Sequence, residues 1–129
     1  MENIEIEGYQ DDYFIPTVNF SAETGVCEIS GESYLEETVE FYTPLLKWLE
    51  KYTTEIKELL TFNFKLTYFN TSSSKRILDI LLILKEYEDA GGDITVNWYY
   101  EEGDTDMEDE VEDFMIASDL EINMIEFEE

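Results

Sequence analysis

The stretch N-T-S-S-S-K at residues 70–75 places four hydroxyl side chains in a row, Thr71, Ser72, Ser73 and Ser74, and then two cations, Lys75 and Arg76. Three chemistries use such a run. A side chain from Asn70, Thr71 or Ser72 caps a helix by accepting a free backbone N–H, a contribution of about 1 kcal/mol. A helix start with Lys75 and Arg76 beside it attracts a bound anion. The run lacks the glycines with which a phosphate loop wraps a nucleotide, which argues against a nucleotide site. In the third chemistry the phosphate is covalent. A phosphoryl group on a hydroxyl at a helix start adds roughly −1.5 to −2 units of charge and three strong acceptor oxygens. Lys75 lies four residues beyond Thr71, where an i,i+4 neighbour would pair with that charge.

Other chemistry has little to work with. The chain has no histidine, which removes the commonest general base near neutral pH and the commonest metal ligand. Cys27 is the one cysteine. It follows Val26 in an apolar run and reads as a small core residue. It cannot form an internal disulfide, which suits a reducing cytoplasm. The acidic stretch 101–113 lacks the loop-then-glycine spacing of a calcium-binding EF-hand. No catalytic residue, metal or cofactor is expected. A carboxylate-based enzyme or small-ligand protein is the alternative from another class.

Charge narrows the partners. Thirty-three acidic residues face seven basic ones, for a net charge of −26, and all seven cations fall between Lys47 and Lys85. Phosphate backbones and anionic membranes are held by clustered lysine and arginine, so nucleic acid and membrane surfaces are both poor partners. No apolar run approaches the ~20 residues of a membrane span, and M-E-N-I-E-I-E-G lacks the basic-then-apolar layout of a signal peptide. The expectation is a soluble cytoplasmic protein. Its acidity is either a solvating surface or a docking face for a basic partner.

The elements that must position the hydroxyl run follow from periodicity. Residues 1–12 read as a loose acidic arm, and 13–129 as one domain. F-I-P-T-V-N-F (14–20) and V-C-E-I-S (26–30) form a hairpin around S-A-E-T-G, with Gly25 supplying a positive φ. Pro16 argues for an edge strand or its first residues. Ser33 and Glu36 match a capping box for a helix in which Phe41, Leu45, Trp48 and Tyr52 recur at helical spacing through Pro44. In L-T-F-N-F-K-L-T-Y-F (60–69), Phe62, Phe64, Leu66 and Tyr68 alternate with Asn63, Lys65 and Thr67 as in a strand. Residues 72–90 form a largely buried helix stopped by A-G-G-D. I-T-V-N-W-Y-Y (94–100) is a strand in which Trp98 faces the core and Tyr99 sends its ring outward. A third helix, capped by Asp104 or Thr105, carries Met107, Val111, Phe114 and Met115, and residues 122–127 close as a short strand. The order β-β-α-β-α-β-α-(β) predicts an α/β fold: a mixed, mostly parallel sheet of four to five strands with an antiparallel edge hairpin, covered by about three helices. Loops at the carboxyl ends of parallel strands gather on one side. The hydroxyl run should therefore lie exposed at an edge next to Ser33 and Tyr34.

G-E-S-Y-L-E (31–36), F-Y-T-P-L-L-K-W-L-E-K-Y (41–52), L-T-Y-F-N-T-S-S-S-K (66–75), G-G-D-I-T-V-N-W-Y-Y (91–100) and E-D-F (112–114) together resemble the SiaC family of bacterial regulatory phosphoproteins, which is STAS-like, similar to anti-sigma-factor antagonists. Leu35 and Glu37 depart from the family's S-x-P-E-N. The resemblance implies a non-enzymatic signalling adaptor. A Ser/Thr kinase phosphorylates the threonine of N-T-S-S, here Thr71, and a PP2C-type phosphatase reverses this. The unphosphorylated form activates a diguanylate cyclase in cyclic di-GMP signalling and biofilm regulation. Asn70, Ser72, Ser73 and Lys75, with Ser33, Tyr34 and Glu36 of the neighbouring loop, become the partner- and kinase-binding residues. The rival within signalling is an antagonist-type partner-switching module that controls transcription.

Overall fold

In the computed structural model, which describes residues 1–10 and 14–128, the chain opens with β1 (Ile4–Ile6), β2 (Tyr9–Gln10), β3 (Phe14–Ile15), β4 (Thr17–Phe20) and β5 (Val26–Ser33). Helix α1 (Thr38–Lys51) runs through Pro44 into a π-helical turn (Tyr52–Ile56), followed by β6 (Leu60–Phe69), α2 (Thr71–Asp89), β7 (Ile94–Glu101), α3 (Thr105–Ser118) and β8 (Asn123–Phe127). Six strands form one sheet in the order β1-β4-β5-β6-β7-β8. From β5 to β8 all pairings are parallel, whereas β1–β4 and β4–β5 are antiparallel. The mostly parallel sheet with an antiparallel edge is the architecture the element order predicts.

Two expectations at the N-terminal edge need correction. Residues 4–6, read as part of a loose arm, form the edge strand: Ile4 pairs with Phe20 and Ile6 with Val18. The carboxylates of Glu5 and Glu7 masked a two-residue apolar period. Further contacts hold this strand down, since the Trp48 indole N–H donates to the Glu2 carbonyl at 2.8 Å and the Ala22 N–H donates to Asn3 Oδ1 at 2.8 Å. The 14–20 run is also not one strand. It divides at Pro16, which has no N–H to give a ladder. Phe14–Ile15 pairs with Tyr9–Gln10 in a separate ribbon, and Thr17–Phe20 joins the main sheet.

Each step from β5 to β8 moves one place along the sheet in the same direction, and right-handed crossovers then put every helix on one face. Accordingly α1 packs on α2 and α2 on α3. Leu60, Phe62, Phe64 and Leu66 of β6 are buried beneath them, while Thr61, Asn63, Lys65 and Thr67 are not. Phe20, Phe62, Phe64 and Trp98 form a chain of rings at centroid distances of 5.4, 4.5 and 4.6 Å, closed by Phe114 at 5.8 Å from Trp98. Such pairs add about 0.5–1.5 kcal/mol each beyond area burial. Cys27 is fully buried, in keeping with a core role.

Among the described residues the opposite face carries no helix. A ladder of amides crosses it, with Asn123 Nδ2 donating to Asn97 Oδ1 at 3.0 Å and Asn97 Nδ2 to Asn63 Oδ1 at 2.9 Å. On the same face Lys65 Nζ lies 2.8 Å from Glu28 Oε1 and 5.0 Å from the centre of the Tyr99 ring.

One irregularity bears on the site. Gly31 pairs with Leu66 but Glu32 pairs with Tyr68, so Thr67 is an extra residue in β6. Such a bulge reverses the facing of the strand residues beyond it. Tyr68, which strict alternation assigns to the core, is turned out and 48% exposed, while Phe69 turns in against Trp98 and Phe114.

Gly25 has φ +72, its carbonyl accepts the Thr61 N–H at 2.8 Å, and a Cβ there would collide with the Leu59 carbonyl oxygen and the Tyr52 hydroxyl. Gly31 has φ +95 but open space around it. Gly25→Ala should therefore lose more than the roughly 1–2 kcal/mol of left-handed strain, and Gly31→Ala only about that strain. Urea unfolding of the two variants measures the difference.

Candidate phosphorylation and docking site

Helix α2 starts one residue after the strand that precedes it, and Asn70 makes the junction. Its side-chain Oδ1 accepts the Ser73 N–H at 2.9 Å, capping the helix, and its Nδ2 donates to the Leu35 carbonyl at 3.0 Å. Its backbone N–H donates to the Ser33 carbonyl at 3.0 Å. Aspartate would cap as well but has no N–H for Leu35. Asn70 thereby fixes the loop after β5 to the start of α2.

The four hydroxyls have separate fates. Ser73 is fully buried and its Oγ lies 2.8 Å from Ser33 Oγ, which is itself 2.7 Å from the Tyr42 hydroxyl. Ser73 Oγ also donates to the Ser33 carbonyl at 3.0 Å. That donation fixes the proton order: Tyr42 donates to Ser33 Oγ, Ser33 to Ser73 Oγ, and Ser73 to the carbonyl, so no buried hydroxyl is orphaned. Ser72 Oγ meets Thr38 Oγ1 of α1. Ser74 is half-buried and its side chain makes no hydrogen bond among the described residues. Thr71 is exposed, and its hydroxyl likewise has no partner among the described residues. Lys75, one turn on, is exposed and outside every ion pair described. Arg76 Nε lies 3.1 Å from Asp79 Oδ2, close enough to pair but not aligned as a hydrogen bond.

The first of the expected partner-facing residues to be corrected is Ser33. It does not cap α1: that helix begins at Thr38 with Glu37 before it, and no side-chain cap forms. Ser33 and Ser73 are both fully buried and cannot touch a partner. They hold the site instead. Tyr34 is 48% exposed, bridged to Phe14 by backbone hydrogen bonds of 2.8 and 2.9 Å, with its ring between Phe14 at 6.4 Å and Tyr68 at 5.9 Å. Glu36 is exposed on the rim of an open hollow of about 1000 Å³ that Asn70 and Ser72 also line. On the other flank a hollow of about 510 Å³ lies between Thr67–Phe69 and the acidic first turns of α3. Among the described residues no cluster of three or more cysteine or carboxylate side chains is placed to hold a metal, and no helix is long and apolar enough to cross a membrane.

The chain and its fold match known proteins. The family model described as "SiaC family regulatory phosphoprotein" covers residues 9–127. The chain belongs to the SiaC family. It is 29% identical over 101 residues, 78% of each chain, to an uncharacterized protein of Pseudomonas aeruginosa strain UCBPP-PA14. Superposed on the structure of SiaC of Pseudomonas aeruginosa, it covers 100% of both chains at 25% identity with a TM-score of 0.85. A third match is SiaC in a crystal structure described as the diguanylate cyclase SiaD in complex with its activator SiaC, also from Pseudomonas aeruginosa. There the TM-score is 0.89 at 24% identity, over 96% of this chain and 99% of that one.

Within this SiaC-family site, reasoning from sequence missed Thr38 and Tyr42. They lie four residues apart on one face of α1, a spacing that puts two hydroxyls together. It missed Tyr68 as well, because a one-residue bulge leaves no mark on composition.

Two measurements test the buried chain. Ser33→Ala strands the Tyr42 hydroxyl in the core and should cost about 1–3 kcal/mol in urea unfolding, and the double variant with Tyr42→Phe should recover part of it. Burial pushes the Tyr42 hydroxyl from 10.0 up to about 12, against the opposing hydrogen bonds of Ser33 and Ser73. The fold therefore favours the neutral phenol. That stabilisation is complete below pH 10 and is lost as pH rises towards 12. Tyr42→Phe should flatten this part of the stability–pH curve.

Proposed function

We propose that this chain is an adaptor switched at Thr71, which docks bare on a protein partner and is released by phosphorylation. The observation that supports the assignment is the fate of the four hydroxyls. Among the described residues Thr71 is the one of the four that is exposed, without a hydrogen-bond partner and at the first position of α2. A kinase can reach it without unfolding anything, whereas Ser72 and Ser73 are engaged by Thr38 and Ser33.

The local physics suits a reversible charge. The N–H groups of the first turn and the helix dipole favour an anion, and Lys75 stands one turn on as a cation in no ion pair among the described residues. Bare, Thr71 is a neutral hydroxyl one turn from a cation in a protein of net charge −26. Phosphorylated, it becomes a hydrated dianion. A partner group that had docked against the hydroxyl and Lys75 would then meet like charge and a desolvation cost. Because the phosphate sits on the surface, the fold need not change.

The partner is a diguanylate cyclase, by analogy with the Pseudomonas aeruginosa SiaC described as activator of SiaD. A Ser/Thr kinase writes the phosphate and a PP2C-type phosphatase erases it. Protein from its own host should carry phosphate on Thr71 and not on Ser72 or Ser73 in tandem mass spectrometry. Thr71→Ala should bind the host's cyclase constitutively, and Thr71→Glu at least about tenfold more weakly. Equal binding by both variants would refute the switch.

A further inference from the structure

We propose that the hollow between residues 34–41 and the start of α2 is a docking groove for a polypeptide segment that carries apolar side chains flanked by lysine or arginine. The inference deepens the adaptor reading by naming the chemistry of the docked element, and it rests on that reading only for its biological setting.

Three features of the groove select this occupant. Its lining mixes the apolar side chains of Ile15, Leu35 and Phe41 with the polar ones of Asn70 and Ser72. Its wall is the half-exposed Tyr34 ring, held between Phe14 and Tyr68, a rigid aromatic surface of the kind that anchors interfaces. Its rim carries Glu36, Glu37 and Glu40, all exposed and none in an ion pair among the described residues. A volume of about 1000 Å³ admits several side chains. The apolar part of the lining alone would accept any greasy segment. The three unpaired carboxylates decide in favour of a cationic one, because an acidic segment would be repelled and a neutral one would leave them unmatched.

The site is also built. Asn70 Nδ2 holds the Leu35 carbonyl at 3.0 Å, the Tyr34 backbone is bridged to Phe14, and Thr38 contacts Ser72. The groove is therefore present before a partner arrives, and little ordering cost falls on binding. Since Asn70 and Ser72 line it, an occupant passes next to Thr71.

The test uses a short fluorescent peptide of leucines flanked by lysines, with a companion in which the leucines are serines, on the full chain carrying Thr71→Ala. Titrations are followed by anisotropy, and the site is located by backbone amide shifts in NMR spectra. Glu36, Glu37 and Glu40 changed together to Gln should weaken the leucine peptide about tenfold. Asp106, Asp109 and Asp113 on α3, changed together to Asn for the same charge difference, should weaken it less than about threefold. The shifts should centre on Leu35 and Phe41, and the serine peptide should not tell the two variants apart. Equal weakening by both sets, or shifts centred on α3, would mean undirected attraction to an acidic protein and would overturn the groove. Because the phosphosite is absent here, such a failure leaves the Thr71 switch to be judged on the cyclase binding of its own variants.

Discussion

Tyr42, Ser33 and Ser73 share a line of hydrogen bonds in a place where water cannot substitute for any of them, and the site is organised around it. The line joins the end of β5, the second turn of α1 and the first turn of α2. In a dry interior each hydroxyl must find its partner or pay for desolvation, so the three elements have one good relative position. That position determines what the surface displays. Successive residues of a helix are turned by about 100°, so once Ser73 points in, Thr71, two residues earlier, points out, and Ser72 between them leans towards α1. The exposed hydroxyl is exposed because its neighbour is buried.

The layering explains why this end of the sheet is available. Three right-handed crossovers in one direction put all helices on one face and gather the β5–α1 and β6–α2 junctions at adjacent strand ends. The bulge at Thr67 then turns Tyr68 out beside Tyr34, adding a ring to a surface that a regular strand would have left without one. The result is a hydroxyl, two tyrosines and a lysine at the junction, bordered by carboxylates on α1 and α3. Of the other six cations, Lys51, Lys65, Arg76 and Lys85 lie in ion pairs among the described residues, with Glu55, Glu28, Asp79 and the trio Glu88, Asp89 and Asp119, whereas Lys47 and Lys57 lie in none. Against a net charge of −26, a phosphate at the proposed site would matter less for total charge than for where it falls, beside Lys75.

The strands and helices were largely legible in the residues because their periods are local. The 60–69 alternation, the glycines after α2 and the Asp104 cap are each read within a few residues, where backbone geometry and side-chain facing impose the pattern directly. Glu5 and Glu7 hid the edge strand because period-two burial in a three-residue strand has only Ile4 and Ile6 to show it. Pro16 signalled a boundary correctly, yet which sheet each half would join depended on partners far along the chain.

Membership of the family and the run of hydroxyls follow from residue types at fixed spacing, and the proposal of Thr71 as phosphate acceptor starts from the same N-T-S-S signature, since capping, helix dipoles and such a signature are properties of contiguous chain. The division of labour among those hydroxyls does not. Ser33 read as a helix cap and emerged as a core residue, because its fate depends on a parallel pairing that sets it against a serine forty positions away. Burial belongs to the packed assembly: a hydroxyl has the same local chemistry in a cap, a core or a phosphosite, and the distant elements that exclude water from it make the choice.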